Sequence, residues 1–243
     1  RGIDTACQPK HYNEAGVGEA LSRLDDNGIK RESLFIQTKF TPLSGQDPDK
    51  IPYDPDAPIE EQVLQSFATS LKNLKTDYLD SLVLHSPLFP HVKLMKAWKT
   101  MESIHEKGGA QLLGISNCYD LSVLKKLQED STVKPAIVQN RFYEETSYDS
   151  ELRNWCTQNG IIYQSFWTLT ANPHILTHNA FQNLCQRYNR TSPQVFFRYL
   201  NQIKIVPLTG TCSIHHMQED LSIFDFTIVQ EDIEVINLIL RLH

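Results

Sequence analysis

The sequence lacks the features of membrane-spanning, secreted or nucleic-acid-binding proteins. No apolar run approaches the ~18 residues of a membrane-spanning helix, and the polar first residues predict that no signal peptide stands here. Its 23 lysines and arginines are outnumbered by 29 aspartates and glutamates, which gives a formal net charge of -6. We therefore expect neither nucleic acid nor an anionic membrane as a partner.

Cysteine is scarce, and no cysteine pair has the C-x-x-C spacing. The five cysteines are widely separated and odd in number, which predicts reduced thiols and a cytoplasmic location. No spacing of cysteine, histidine and carboxylate residues supports a metal site, and the G-x-S-x-G pattern of serine hydrolases is absent. We predict no bound metal.

Short β-branched runs alternate with amphipathic helical patterns along the chain. The strand-like runs cover residues 1–4, 34–39, 78–85, 111–115, 136–140, 161–165 and 203–207. A helix begins near Glu14, and further helical patterns cover residues 59–74, 92–105, 121–127, 150–158, 180–188, 193–202, 214–224 and 230–240. Because parallel strands need crossover helices, this alternation predicts a parallel sheet.

A glycine-rich phosphate turn is also missing after the first strand-like run. Gly16-Val17-Gly18 lies inside a helical pattern and has no third glycine at the required offset, which argues against a doubly wound dinucleotide-binding sheet. The sequence instead predicts an α/β fold, a (β/α)8 TIM-type barrel in one domain of residues 1–243. Seven strand–helix units are visible, so we expect the first unit of the barrel to be absent from this chain.

One segment differs from the rest in composition. Residues 42–58 contain five prolines and four aspartates, which excludes a helix or a central strand. This loop follows the strand-like run 34–39, at the rim where barrels carry their chemistry. Two interpretations remain open, a loop that shapes a binding pocket and a solvated loop without function.

Polar residues stand at the ends of three strand-like runs, where apolar residues would be expected. These are Asp4, Lys39 and His85, and Tyr12 lies in the loop before the helix near Glu14. In a barrel these ends converge, so Lys39 could lower the pKa of the Tyr12 phenol while Asp4 holds the ammonium. Each residue alone also has a structural interpretation, as a helix-entry carboxylate, a surface charge or a core histidine.

Several motifs in this order resemble those of the aldo-keto reductase family. They are Ile3-Asp4-Thr5-Ala6, Tyr12-Asn13-Glu14, Val17-Gly18, Phe35-Ile36-Gln37-Thr38-Lys39, Leu84-His85-Ser86-Pro87, Gly114-Ile115-Ser116-Asn117, Pro193-Gln194-Val195 with Arg198, and Phe224-Asp225-Phe226. The resemblance covers almost the whole chain. Members of the family open with a hairpin, a strand and a helix ahead of the Asp4 motif, and the variant details resemble a fungal branch.

The resemblance implies a catalytic tetrad and a coenzyme site. The tetrad would comprise Asp4, Tyr12, Lys39 and His85, with Tyr12 as the proton donor. The nicotinamide ring would be held by Ser116, Asn117 and Gln139, with Phe166 stacked on its face.

The coenzyme-binding positions depart from the family pattern. Pro207-Leu208-Thr209 replaces the usual Pro-Lys-Ser, Glu219-Asp220 replaces Glu-Asn, and Trp167 replaces a small residue. A lost cation should weaken selectivity for NADPH, although the Thr209-Gly210-Thr211 turn could compensate with backbone N–H groups and hydroxyls. The implied coenzyme is NADPH, with NADH as the alternative.

The resemblance implies an NAD(P)H-dependent oxidoreductase that reduces an aldehyde or ketone, so the partner would be a small carbonyl compound. A catalytically silent member of the family that senses coenzyme or binds a partner remains the alternative. The intact tetrad favours the enzyme, and the unusual coenzyme positions favour the silent protein. The substrate and the oligomeric state stay open.

Overall fold

Parallel strands and helices alternate through residues 2–241, the part of the chain that this computed structural model describes. The chain divides into two units at Val138 and Gln139, within one strand. The expectation of a single domain therefore stays a prediction. Residue 1, which the sequence places in the first strand, lies outside the described residues.

The first unit contains a parallel sheet with its crossover helices. Its strands are β1 Gly2–Asp4, β2 Phe35–Phe40, β3 Leu79–Leu84 and β4 Ala110–Ser116. Its helices are α1 Glu14–Asp26, α2 Ile59–Leu74, α3 His91–Glu106 and α4 Leu121–Asp130. The strands pair in sequence order, with Asp4 opposite Gln37 in β2. This pairing brings the carboxyl ends of the strands to one edge.

The core of the first unit lies between this sheet and its helices. Val63 and Leu74 of α2 are fully buried, as are Trp98 and Met101 of α3, because their spacing places them on one face of each helix. Gly18 lets α1 approach α2 closely, since a Cβ atom there would lie 2.0 Å from the backbone oxygen of Asn73.

The proline-rich loop of residues 42–58 is attached to the carboxyl end of β2. Its only regular structure is a 3-10 turn at Leu43–Gly45. Tyr53 is buried and donates its hydroxyl to the Thr41 oxygen (2.8 Å), while the Gln46 amide donates to the Cys7 oxygen (2.9 Å). The prediction of a long loop is confirmed, and these buried contacts argue against a merely solvated one.

The second unit repeats the alternation. Its strands are β5 Ile137–Arg141, which begins before the boundary, β6 Ile162–Phe166 and β7 Ile205–Pro207. The last two pair in parallel, with Tyr163 opposite Ile205. Its helices are α5 Ser150–Gln158, α6 Pro173–Thr177, α7 Asn179–Tyr188, α8 Ser192–Gln202, α9 Ile214–Leu221 and α10 Gln230–Arg241.

The structure of this unit differs from the sequence prediction at the end of one helix and in the presence of another helix. The helix predicted over residues 214–224 ends at Leu221, and a 3-10 turn follows at Ser222–Asp225. The Ser222 hydroxyl donates to the Glu219 oxygen and accepts from Gln194, and such side-chain bonds compete with helix continuation. Helix α6 was not predicted, because five residues are too few to show a periodic pattern.

No helix within residues 2–241 is long and apolar enough to cross a membrane.

Candidate active site

Parallel pairing of β1 with β2 places Lys39 beside Asp4. The Lys39 side chain is 0% exposed, and its Nζ donates to Asp4 Oδ2 (2.7 Å) and to the Thr5 oxygen (2.8 Å). Gln37, two residues earlier on the same face of β2, donates its amide to Asp4 Oδ1 (2.7 Å). The carboxylate is thus held on both oxygens, and the lysine is fixed against it.

Burial governs the electrostatics of this pair. Removal of Lys39 from water lowers its pKa, against the opposing effect of the Asp4 charge and hydrogen bond. The ammonium therefore depends on Asp4 to remain charged in a dry environment.

Tyr12 lies close to both Lys39 and His85. Its ring centroid is 5.2 Å from Lys39 Nζ and 5.9 Å from the His85 ring, which meets it edge-on. Burial raises the pKa of Tyr12 to about 12, and the Asp4 charge adds to this. The sequence predicts that Lys39 lowers this pKa, whereas the net shift in the structure is upward, because burial and then the Asp4 charge raise it. Tyr12 keeps its proton at neutral pH.

His85 follows β3 and contacts a residue that the sequence analysis missed. Its Nδ1 lies 2.6 Å from the Thr41 hydroxyl. Burial, followed by the Lys39 charge, lowers the pKa of His85 to about 4, so the imidazole is neutral at pH 7. A pattern at every second position was the available signal, because Gln37 and Lys39 share one face of β2 and Thr41 continues the alternation one residue past the end of the strand.

Two further predicted site residues, Ser116 and Asn117, lie at the end of β4 in the first unit. Ser116 is buried, and Asn117 adopts a left-handed backbone conformation with φ of 53°. The Asn117 amide donates to the His85 oxygen (2.8 Å) and to Ser116 Oγ (3.2 Å), and the Tyr119 hydroxyl donates to Asn117 Oδ1 (3.3 Å). Asn117 is thereby connected to the segment that carries His85.

In the second unit, the predicted ring-binding residues lie on β5 and β6. Gln139 is buried and donates its amide to Gln164 Oε1 (2.9 Å). Phe166 is half-buried and ends β6, and Trp167 follows with φ of 55° and an exposure of 56%. The Arg141 guanidinium stacks 4.1 Å from the centroid of the Trp167 ring. An aromatic surface is thus presented just beyond β6.

The predicted phosphate-end residues follow β7. Leu208 donates its backbone N–H to the Ser165 oxygen (2.8 Å), which continues the sheet pairing, and the Thr209 hydroxyl donates to Asp220 (2.8 Å). Gly210 is open, since no heavy atom lies within 4 Å of a Cβ built there. Thr211 accepts from the Ser213 N–H (3.1 Å). Glu219 lies one turn from His215 on α9, with 3.6 Å between Glu219 Oε1 and His215 Nε2.

The sequence predicts no bound metal. Across the described part of the chain, no cluster of three or more histidine, cysteine, aspartate or glutamate side chains could hold a metal ion.

Comparison with known proteins gives a family and a fold. The sequence model of the Aldo/keto reductase family matches residues 1–241. The chain is 31% identical to the uncharacterized oxidoreductase YtbE of Bacillus subtilis and 29% identical to the glyoxal reductase of the same bacterium. Each match covers 98% of this chain and 78% of the relative.

A solved structure agrees with these relatives. The crystal structure of the silkworm aldo-keto reductase AKR2E5 with NADPH superimposes with a TM-score of 0.82 at 24% identity, over 98% of this chain and 73% of that one. The similarity confirms the predicted α/β barrel fold. The family match confirms the resemblance that the sequence motifs carry.

Proposed function

Because this chain belongs to the Aldo/keto reductase family of oxidoreductases, we propose that it reduces an aldehyde or ketone to an alcohol with a nicotinamide coenzyme. The observation that carries the proposal is the grouping of Tyr12, Lys39 and His85 within the first unit, with Asp4 bonded to the buried lysine. A protein that only binds coenzyme has no need of this grouping.

Tyr12 would donate the proton to the carbonyl oxygen. Its raised pKa keeps the phenol protonated until negative charge develops on that oxygen. The Lys39 ammonium, 5.2 Å from the ring centroid, would stabilise the phenolate as it forms. General-acid assistance of this kind typically contributes ~10²–10⁴-fold to the rate.

His85 would orient the carbonyl group as a neutral donor. At pH 7 its imidazole is uncharged, so one ring nitrogen carries hydrogen and the other accepts. We assign Nδ1 as the acceptor of the Thr41 hydroxyl proton, across 2.6 Å. The Nε2–H group is then left to donate to the substrate oxygen.

The coenzyme, when bound, supplies the hydride to the carbonyl carbon. In the first unit, Ser116 and Asn117 would hold its carboxamide. Taken by itself, the second unit offers a nicotinamide the Gln139 amide and the ring faces of Phe166 and Trp167. The phosphate and adenine ends would meet Leu208, Thr209, Gly210, Thr211, Glu219 and Asp220. The open space at Gly210 fits close approach of a phosphate to backbone N–H groups.

Coenzyme selectivity should be weak. Residues 207–221 contain no lysine or arginine, and the Thr209 hydroxyl is bonded to the Asp220 carboxylate. A ribose phosphate would find no charge-assisted donor among these side chains. We therefore propose that NADPH and NADH are both accepted.

Replacement of Tyr12 by phenylalanine tests the mechanism. The purified protein is titrated with NADPH and NADH by fluorescence, and turnover is followed by nicotinamide absorbance with a carbonyl panel that starts from glyoxal. We expect Tyr12→Phe to keep coenzyme affinity and to lose at least ~10²-fold in kcat. Tyr78→Phe is the matched control, since that ring packs under the Arg31 guanidinium instead. Near-normal turnover in Tyr12→Phe would refute the proposed role.

Residues 207–221 depart from the family pattern and contain no lysine or arginine, which favours a second candidate, a catalytically silent member of the family that senses coenzyme or binds a partner. The same titration separates the two functions. Tight coenzyme binding without turnover of any carbonyl compound would support the silent protein.

A further inference from the structure

Glu14 is a buried carboxylate that the proposed mechanism does not use. It is the first residue of α1, two positions after Tyr12, and is 5% exposed. Its Oε1 accepts from the Thr38 hydroxyl (2.6 Å) and the Ser70 hydroxyl (2.7 Å), and its Oε2 accepts from the Asn73 amide (3.1 Å). Among the described residues, no lysine or arginine forms an ion pair with it.

The three donors come from two elements that pack against α1. Ser70 and Asn73 lie on α2, and Thr38 lies on β2, directly before Lys39. Neighbouring residues of a strand point to opposite faces, so Thr38 meets Glu14 while Lys39 meets Asp4. The Glu14 carboxylate therefore joins the start of α1 to the strand that carries the catalytic lysine.

The segment that carries Tyr12 is short and leads directly into this attachment. Tyr12 donates its backbone N–H to the Gln8 oxygen (3.1 Å), and Asn13 caps α1 by accepting from the Gly16 N–H (2.9 Å). Only Asn13 separates the catalytic tyrosine from Glu14. A shift of the α1 start away from β2 would thus move the Tyr12 ring relative to Lys39.

A neutral side chain would serve less well at this position. A carboxylate accepts at both oxygens, whereas a glutamine amide would face the Asn73 amide with a donor. Hydrogen bonds to an ionised acceptor are also about twice as strong as neutral ones. The three hydrogen bonds offset the cost of burying the carboxylate at this position.

We propose that Glu14 is a positioning residue for proton transfer, which holds the Tyr12 segment at a fixed distance from Lys39 through its bonds to β2 and α2. The inference rests on the proposed reductase function. It assigns no contact between Glu14 and substrate or coenzyme.

Substitutions of Glu14 give a measurable split between catalysis and binding. Glu14→Ala should lower kcat about tenfold to hundredfold, because small misplacements of reacting groups have effects of this size. Coenzyme affinity should stay within about twofold, and the solvent isotope effect on kcat should rise as proton transfer becomes slower. Glu14→Gln should recover most of the loss, since its oxygen still accepts from Thr38 and Ser70.

Glu102 of α3 provides a matched control. It is 6% exposed and accepts from the backbone N–H groups of Thr132 (2.6 Å) and Val133 (2.9 Å), without contact to the tetrad. Glu102→Ala and Glu14→Ala should both lower the Tm, but Glu102→Ala should leave kcat within about twofold. If Glu14→Ala does not fold, Thr38→Val serves instead. It removes only the hydrogen bond from β2 to Glu14 and should also lower kcat.

The outcomes distinguish this inference from the function on which it rests. The inference is overturned if Glu14→Ala loses no more kcat than Glu102→Ala, if coenzyme affinity falls in parallel, or if Glu14→Gln recovers nothing. In that case an active wild type and an inactive Tyr12→Phe would leave the reductase function standing. A wild type without turnover on any carbonyl would refute both.

Discussion

Replacement of Asp4 by asparagine should expose the cost of the buried Lys39 charge. The Lys39 side chain is fully buried and its Nζ lies 2.7 Å from Asp4 Oδ2, while the Asp4 side chain is 19% exposed. Removal of one partner of a buried ion pair typically costs about 3–5 kcal/mol. Because the Thr5 oxygen still accepts from Lys39 and Asp4 is partly hydrated, we expect the lower end, about 3 kcal/mol.

The sign of the pH dependence follows from Lys39. Its pKa in the folded protein is already lowered by burial, and the loss of Asp4 removes the largest opposing effect. At pH values below the folded-state pKa of Lys39 in the variant, the buried ammonium is charged, and Asp4→Asn lowers the free energy of unfolding by the full amount. Between the folded pKa and the unfolded value of 10.5, only the folded protein releases the proton, so stability rises with pH. The cost of Asp4→Asn should therefore shrink as the solution becomes alkaline.

Urea unfolding followed by circular dichroism over a pH series measures this cost. Lys39→Met removes the charge itself, so the double variant should be closer to wild type than Asp4→Asn alone. Asp80→Asn is the control, because Asp80 pairs with Arg31 (2.8 Å). Guanidinium groups in proteins stay charged at alkaline pH, so the cost of Asp80→Asn should not vary there. A loss below about 0.5 kcal/mol, a loss independent of pH, or a double variant as unstable as Asp4→Asn would refute the reasoning.

Three further predictions concern single features. The pKa of His85 is about 4 against the ordinary 6.5, so wild type should lose up to about 3 kcal/mol of stability as pH falls through this window. His85→Asn should lose less on acid titration followed by fluorescence, and an equal loss would contradict the assignment. Deletion of the exposed loop tip, residues 47–50, should change KM across a carbonyl panel while coenzyme affinity holds, and the reverse pattern would exclude the loop from the pocket. Leu208→Lys should tighten NADPH binding at least about tenfold relative to NADH, and an unchanged ratio on fluorescence titration would show that position 208 does not meet the phosphate.

The secondary structure followed closely from local patterns where these are long. Helices α2 and α5 have the predicted bounds, residues 59–74 and 150–158, because apolar periodicity and flanking breakers agree there. The five-residue α6 gives no period to detect. Helix α9 ends three residues before the predicted bound. The hydrogen bond from Gln194 to Ser222 joins residues that are far apart in the sequence, so no local pattern predicts this end.

The grouping of the tetrad residues could be predicted from the sequence, whereas the pKa shifts within the group could not. Parallel strands place their carboxyl ends at one edge, so Asp4, Lys39 and His85 could be grouped from the sequence alone. The sequence predicts a lowered pKa for Tyr12, but the structure gives a raised one. The shift depends mainly on burial, and burial is set by the packing of distant segments. The contact of Thr41 with His85 joins residues 44 positions apart, beyond the range of any local motif.

The two shifted pKa values are consistent with the proposed roles of Tyr12 and His85 in proton transfer. Environments that move neighbouring titratable groups in opposite directions separate an acid from a neutral hydrogen-bond donor. With a pKa of about 4, His85 has no proton to give as an imidazolium at neutral pH, whereas Tyr12, at about 12, is fully protonated. A phenol of such high pKa is a weak acid, so in the proposed mechanism it would transfer its proton only as the carbonyl oxygen takes on alkoxide character. In the proposed mechanism Lys39 would then stabilise the phenolate that is left behind, and its ion pair with Asp4 opposes the loss of charge that burial favours.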